Sequence, residues 1–253
     1  MSEKNAALVS IEKDDRGIHY LSMHDQAGKN VFSERFAAEL IAAIDELSEK
    51  IRPPVVVLKG LPEVFAGGGD KKALVGLAEG NVTTHDLVIS EKLVAAPFVL
   101  VAAMEGHAVG GGLMLACASD IVLAAEESRY GAVFMSMGFT PGMGCTTLLA
   151  ELVGPFIANE MMFTAKRFKG KELFGRGTNI NYIMPREKVL PKAVDVALQV
   201  AEKNIKSVYI LKRALAARKK KLLIDARHQE DLMHELSFSF PETKAIIKEF
   251  YVE

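Results

Sequence analysis

The hydrophobic pattern of the chain changes at about residue 185. Before that point, continuous apolar runs between turn-forming residues predict buried strands at residues 55–58, 98–104, 120–124 and 182–185. Apolar positions at helical spacing predict helices between them, at residues 36–47, 87–94, 148–153 and 158–164. Residues 6–24 predict a hairpin. After residue 187 only helical patterns follow, at residues 189–203, 208–221, 224–238 and 243–250.

This order predicts an α/β protein in two parts. Strand–helix alternation over residues 1–185 predicts an α/β core, and residues 186–253 predict a C-terminal helical region. The length of 253 residues suits one large domain, or one domain with a small appendage, and the apolar fraction of 49% is enough for a sizeable core.

Composition and charge exclude several classes of function. A net charge of −1 argues against nucleic acid as the main partner. No apolar run approaches the ~18 residues of a membrane span, and the N-terminal residues do not resemble a signal peptide. We therefore expect a cytoplasmic protein. Cys117 and Cys145 lie in apolar segments, so we expect buried thiols rather than a disulfide or a metal site.

Two glycine clusters, at residues 67–69 and 110–112, are the most informative feature of the sequence. Each follows a predicted strand and opens a predicted helix, and Asp70 is placed to cap the first of these helices. The first amides of a helix have no acceptor inside it and carry the positive end of its dipole. Glycines alone permit tight turns, but two such clusters could aim two amides at one oxygen that becomes negative during a reaction. Neither cluster has the spacing of a phosphate-binding loop.

With these clusters, four short motifs resemble the crotonase (enoyl-CoA hydratase/isomerase) superfamily: residues 65–70 (FAGGGD), 106–112 (GHAVGGG), 119–121 (SDI) and 138–144 (GFTPGMG). The resemblance implies a repeated ββα spiral core with a C-terminal helical region that packs as a trimer or a dimer of trimers. It implies that the amides of Gly69 and Gly111 hold a thioester oxygen. The arm of the thioester, from coenzyme A or phosphopantetheine, would then pass Ala27, Lys29 and Gly67, and no further cofactor or metal is expected.

The sequence departs from the hydratases of that superfamily at both catalytic glutamates. The resemblance places Met114 and Phe134 at those positions, as apolar residues lining the pocket. Because neither side chain can take a proton from water, hydration loses its acid and its base. The resemblance therefore favours chemistry through an enolate in a dry pocket.

The pattern is similar to the decarboxylases of polyketide β-branching cassettes, in residues 138–144 and 232–238 and in the two apolar replacements. That similarity implies loss of CO2 from a 3-methylglutaconyl group on an acyl carrier protein, giving a 3-methylcrotonyl thioester. A proton must then reach carbon, and His234 is the candidate acid. His107, beside a predicted strand end, is expected to make a structural hydrogen bond.

A cation should hold the substrate carboxylate before it leaves. Lys71 is the best placed by motif, with Lys72 as the alternative. Some members of the subgroup use a lysine at the position of Leu77, which with Ala73 makes this face apolar here and lines the substrate pocket. Either Lys71 or Lys72 takes this role, or the enzyme differs in substrate or mechanism.

Two other functions stay open at this point. One is a coenzyme A-dependent enoyl isomerase or hydratase, and the other is a non-catalytic thioester-binding or RNA-binding relative. The basic run at residues 218–221 (RKKK) is either a solvated face or a surface for an acidic carrier protein or a phosphate. RNA binding would require a broader basic face.

Overall fold

The computed structural model describes residues 6–79 and 85–250. The strands are β1 (Val9–Lys13), β2 (His19–Met23), β3 (Val31–Phe32), β4 (Val55–Lys59), β5 (Val64–Ala66), β6 (Gly68–Gly69), β7 (Val99–Met104), β8 (His107–Val109), β9 (Ile121–Ala125), β10 (Arg129–Gly131), β11 (Phe168–Lys169) and β12 (Tyr182–Met184). The helices are α1 (Glu34–Glu46), α2 (Lys71–Ala78), α3 (His85–Ala95), α4 (Gly111–Ala118), α5 (Cys145–Val153), α6 (Pro155–Thr164), α7 (Gly170–Gly175), α8 (Arg186–Ala201), α9 (Ile205–Ser239) and α10 (Pro241–Phe250). A π-helical segment (Leu47–Ile51) extends α1, and a 3-10 helix (Val133–Met137) follows β10.

Within the described residues, the strands form two main sheets and one short pair. The larger sheet has the order β1-β2-β4-β7-β9-β12, with β1 antiparallel to β2 and the rest parallel. The smaller sheet has the order β11-β10-β8-β5, in which β5, β8 and β10 are parallel and β11 is antiparallel. Successive turns of chain give one strand to each sheet and then a helix, which is the repeated ββα spiral that the resemblance implied.

The parallel strands of the larger sheet are buried on both faces because alternate residues point to opposite sides. Val56 and Leu58 of β4 join the main core with α1 and α4. Val55 and Val57 face the other way and pack with residues of α8, such as Val189, Ala193 and Ala197. The first helix of the C-terminal region is therefore part of the core. Within the described residues, the elements from Arg186 onward are the helices α8, α9 and α10.

The two helices predicted at residues 208–221 and 224–238 are one helix, α9, about 50 Å long. The prediction of a break was wrong because no glycine or proline interrupts these residues. Asn204 caps the start by accepting the amides of Lys206 and Ser207 at 3.0 and 3.3 Å. The helix ends just before Pro241, where proline disfavours helical geometry in the residue that precedes it.

Smaller features of the sequence are confirmed. The side chains of Ser33 and Asp70 cap α1 and α2, accepting the amides of Phe36 and Ala73. Both cysteines are buried, without a disulfide. The short strand β11 and the helix α7 lie between α6 and β12. Within the described part of the chain, no helix has the length and apolar character that a membrane crossing requires.

Candidate active site

A cavity of about 180 Å³ lies at one end of the smaller sheet. It is lined by residues that follow the parallel strands β5, β8 and β10, including Gly67, Gly110 and Val133, and by Arg167, which precedes β11. Because β11 runs antiparallel, its beginning lies at the same end of the sheet as the ends of the other three strands. Residues far apart in sequence therefore meet here.

The two glycine clusters meet at this cavity, and Gly69 and Gly111 both line it. A Cβ on Gly68 would lie only 2.6 Å from the carbonyl oxygen of Val109 and 3.4 Å from the amide nitrogen of Gly111. The loops therefore touch, at a distance that only glycine permits. Gly111 is the first residue of α4, so its amide has no acceptor inside the helix, and the preceding Gly110 has a φ of 53° that favours glycine.

His234, on α9, reaches the same cavity from the C-terminal region. Its Nε2 lies 2.9 Å from the carbonyl oxygen of Thr140. Because a carbonyl can only accept, Nε2 carries a hydrogen and Nδ1 is the atom that can gain or lose a proton. Nδ1 is buried and makes no hydrogen bond within the described residues. The ring is held edge-on to Phe139 and Phe238, at centroid distances of 6.2 and 5.5 Å.

A buried glutamate that sequence reasoning missed anchors this part of α9. Glu230, one turn before His234, accepts the amides of Gly144 and Thr146 at 2.7 and 2.8 Å and the hydroxyl of Thr146 at 2.7 Å. These amides belong to the start of α5, where a carboxylate also meets the positive end of the helix dipole. Its spacing of four residues from His234 was the available signal, since i and i+4 share one helix face.

The rest of the cavity wall is apolar. Phe134 lines it, as the resemblance implied, together with Leu74 and Leu77 of α2. Met114 does not line it, and this expectation was wrong: Met114 is fully buried in the main core. Every residue of α4 is buried, so hydrophobicity could not show which of its faces meets the cavity. Among the described lining residues there is no aspartate or glutamate.

Three residues that were expected at the site, Lys71, Ala27 and Lys29, do not line this cavity. Lys71 does not line it, because Leu74 and Leu77 turn the apolar face of α2 inward and Lys71 lies beside that face. Ala27 and Lys29 are exposed and also lie outside the lining, although the carbonyl of Lys29 accepts the amide of Gly67 at 3.1 Å. Gly67 itself does line the cavity.

Two further sequence features, the basic run at residues 218–221 and His107, lie outside the lining of the cavity. Of the basic run at residues 218–221, Lys219 turns inward to the carbonyl of Ser119, and burial lowers its pKa. Arg218 pairs with Glu151 at 3.0 Å, which leaves a narrower charged surface. His107 does make a structural hydrogen bond, since its Nδ1 accepts the amide of Arg129 at 3.0 Å.

Comparison with known proteins adds to this geometry. A family model described as enoyl-CoA hydratase/isomerase matches residues 13–253. The chain is 34% identical to the bacillaene synthase decarboxylase PksI of Bacillus subtilis, over 99% of both chains. It matches a solved structure from a dehydratase/decarboxylase enzyme couple of polyketide β-branching, with a TM-score of 0.92 and 33% identity over 96% of each chain. It also matches the ECH2 decarboxylase domain of CurF from Lyngbya majuscula, with a TM-score of 0.91 and 30% identity over 97% of this chain and 100% of that one.

Proposed function

This chain belongs to the enoyl-CoA hydratase/isomerase family, and from that premise we propose that it is a decarboxylase of polyketide β-branching. Its substrate in this proposal is a 3-methylglutaconyl-type thioester on an acyl carrier protein, and its product is a 3-methylcrotonyl-type thioester. The supporting observation is one apolar cavity in which Gly69, Gly111 and His234 meet and which no described carboxylate lines.

The glycine loops are the binding site for the thioester oxygen in this mechanism. As CO2 leaves, the electrons of the broken carbon–carbon bond pass through the alkene to that oxygen and form a dienolate. The amide of Gly111 and the start of α4 favour negative charge there, and Gly69 is the second proposed donor. Removing one donor of this kind typically costs about 3 kcal/mol in the barrier.

His234 supplies the proton that replaces CO2 on carbon. Since Nε2–H is bonded to Thr140, the proton for the reaction must be carried on Nδ1, so His234 begins the step as a cation. Proton transfer from Nδ1 to carbon leaves a neutral ring and a neutral product chain. Solvent then restores the proton, and each turnover consumes one proton and releases one CO2.

The apolar wall determines which reaction follows. Phe134 occupies the position of a hydratase glutamate by the resemblance, and Leu74 and Leu77 complete a surface that offers water no acid or base. A low-polarity wall also strengthens the attraction between the glycine amides and the dienolate. This supports decarboxylation over hydration.

We propose an acyl carrier protein as the partner that delivers the substrate. Lys220 lines a surface groove with Arg52 and Arg213, a positive surface suited to an acidic partner. Lys220→Glu should raise KM for the carrier-bound substrate and leave KM for the coenzyme A ester unchanged. Equal effects on both substrates, or none, would remove this surface from the proposal.

We also propose that the protein assembles as a trimer or a dimer of trimers, with the C-terminal helices at subunit contacts. Ile210 and Leu215 of α9 are 72% and 64% exposed in the single chain, an arrangement expected of surfaces that another subunit covers. Sedimentation equilibrium would test this: a monomer mass contradicts it.

The function itself is tested by incubating the protein with the carrier-bound 3-methylglutaconyl thioester and following the acyl group by mass spectrometry. We expect loss of CO2, slowed about 10²–10⁴-fold in His234→Ala. His228→Ala, an exposed histidine on the same helix, is the matched control and should retain the wild-type rate. An inactive wild-type protein, or a fully active His234→Ala variant, would overturn the proposal.

A further inference from the structure

One cation on the cavity wall has no role in the mechanism above. Of the described residues that line the cavity, only His234 and Arg167 ionise. Within the part of the chain that the structure describes, the guanidinium of Arg167 forms no ion pair and no hydrogen bond. An uncommitted guanidinium on an apolar wall is suited to a planar anion such as a carboxylate.

The neighbouring cations are held elsewhere. Lys166 lies 4.5 Å from the ring centroid of Phe168 and 3.9 Å from Glu172. The guanidinium carbon of Arg176 lies 5.1 Å from the centroid of the same Phe168 ring, and Arg176 forms an ion pair with Glu160 at 2.6 Å. Arg167 therefore differs from the basic residues beside it in both its direction and its partners.

Gly131 allows the stem of Arg167 to lie over β10. A Cβ at Gly131 would lie 2.9 Å from Cγ of Arg167 and 3.1 Å from its Cα, closer than side chains normally pack. With glycine there, Arg167 passes close to the end of β10 and reaches the cavity beside Val133. A larger residue at position 131 would displace it.

The order of the strands sets the distance between Arg167 and the proposed oxygen site. β11 is two strands from β8, which leads to Gly111, so the two backbones are roughly 10 Å apart. The long arginine side chain shortens that gap from one side. Gly67, beside which the thioester arm is proposed to enter, follows β5 at the opposite edge of the sheet. Arg167 is thus at the end of the cavity that the far end of the acyl chain would reach.

We infer that Arg167 binds the carboxylate of the acyl chain before it leaves, and so selects carboxylated thioesters over neutral ones. This inference rests on the proposed function and names the residue that recognises its substrate class. It assigns to Arg167 the part that the sequence pattern suggested for Lys71.

The charge shift of the reaction fixes the sign of the kinetic effect. In the ground state Arg167 faces a carboxylate, whereas in the transition state that charge moves toward the thioester oxygen and the departing CO2 becomes neutral. Arg167 therefore stabilises the bound substrate more than the transition state, and its loss should raise KM without lowering kcat.

The binding experiment uses two stable ligands on the carrier protein, 3-methylglutaryl, which keeps the carboxylate but cannot form the dienolate, and isovaleryl, which lacks the carboxylate. The wild-type protein should bind the 3-methylglutaryl form more tightly. Arg167→Gln should weaken that binding by about ten- to a hundredfold and leave isovaleryl binding unchanged. Arg167→Lys should restore part of the preference, and Gly131→Ala should reduce it because it displaces the Arg167 stem. Lys166→Gln is the matched control and should behave as wild type.

The same variants are then assayed for decarboxylation, which separates failure of this inference from failure of the function. If the wild-type protein does not decarboxylate its substrate, the proposed function fails, while the carboxylate preference is still measured by binding. If the wild-type protein is active and Arg167→Gln keeps its preference, or loses kcat at constant KM, the inference is overturned. Equal weakening of both ligands, or of the carrier with an unacylated arm, also overturns it because Arg167 would then contact the phosphate.

Discussion

A single methyl group added at Gly142 should displace the ring of His234 while leaving the histidine itself unsubstituted. An alanine Cβ at this position would lie 2.4 Å from Cε1 and 2.9 Å from Nε2 of the His234 ring. Ordinary carbon contacts are about 3.5–4.0 Å, so the ring must move by about 1 Å. Gly142 is not among the residues with positive φ, so alanine suits its backbone and the effect should come from the contact itself.

The expected magnitudes differ for stability and for activity. Crowding of this kind costs about 1–3 kcal/mol of folding free energy, and a weakened bond from Nε2 to Thr140 adds about 0.5–1.5 kcal/mol. A displacement of about 1 Å of a proton donor lowers kcat by about a hundredfold. Gly142→Ala should therefore fold, with a lower urea midpoint, and decarboxylate about a hundred times more slowly.

A double-mutant cycle shows whether the effect passes through His234. In a His234→Ala background the ring is absent, so Gly142→Ala should lower neither kcat nor stability further. Gly175→Ala, where an added Cβ meets no atom within 4 Å, is the matched control. A Gly142→Ala variant with the wild-type kcat, or one that adds its full effect to His234→Ala, would refute the reasoning.

Three further predictions concern stability and reactivity. Glu230→Gln should lower the free energy of unfolding, measured in urea, by about 2–4 kcal/mol, because the new side-chain amide is a donor that faces the backbone amides at the start of α5. Asp225→Asn, at an exposed position on the same helix, should lower it by almost nothing, and similar losses in both variants would contradict the role of Glu230. Burial, and then the nearby Arg186, lower the pKa of His107 in the folded protein. The unfolded chain therefore binds more protons than the folded chain as pH falls below about 6.5. Wild-type stability should therefore fall as pH decreases through that region and fall less in His107→Asn; parallel curves would refute this. Burial raises the pKa of Cys117 to about 12 and that of Cys145 well above its usual value, so iodoacetamide at pH 8 should label neither thiol until the protein unfolds, and labelling of the native protein would contradict the burial.

Local sequence signals predicted most of the secondary structure, whereas the residues that form the site depend on contacts between positions distant in sequence. The caps at Ser33 and Asp70 and the two glycine turns were readable because each uses residues within one or two turns. The break expected within α9 was wrong because no local residue causes one. Met114 was misplaced because α4 is buried all round, so its pattern has no polar face to orient it.

Arg167 and Glu230 show the limit of such reasoning more clearly. Arg167 reaches the cavity because β11 runs antiparallel beside β10, a pairing between residues about forty positions apart that periodicity does not encode. Glu230 is a charged residue within a polar helix pattern, and only the packing of α9 on α5 buries it. In both cases the residue type was visible in the sequence but its partner was not.

The central claim is that this cavity holds a dienolate and excludes the groups that would add water. It is tested most directly by giving one protein one substrate, the carrier-bound 3-methylglutaconyl thioester, and weighing the acyl group after complete turnover. We predict that the acyl group loses the mass of CO2, with solvent deuterium entering the product once per turnover. An acyl group that instead gains the mass of water would contradict the account.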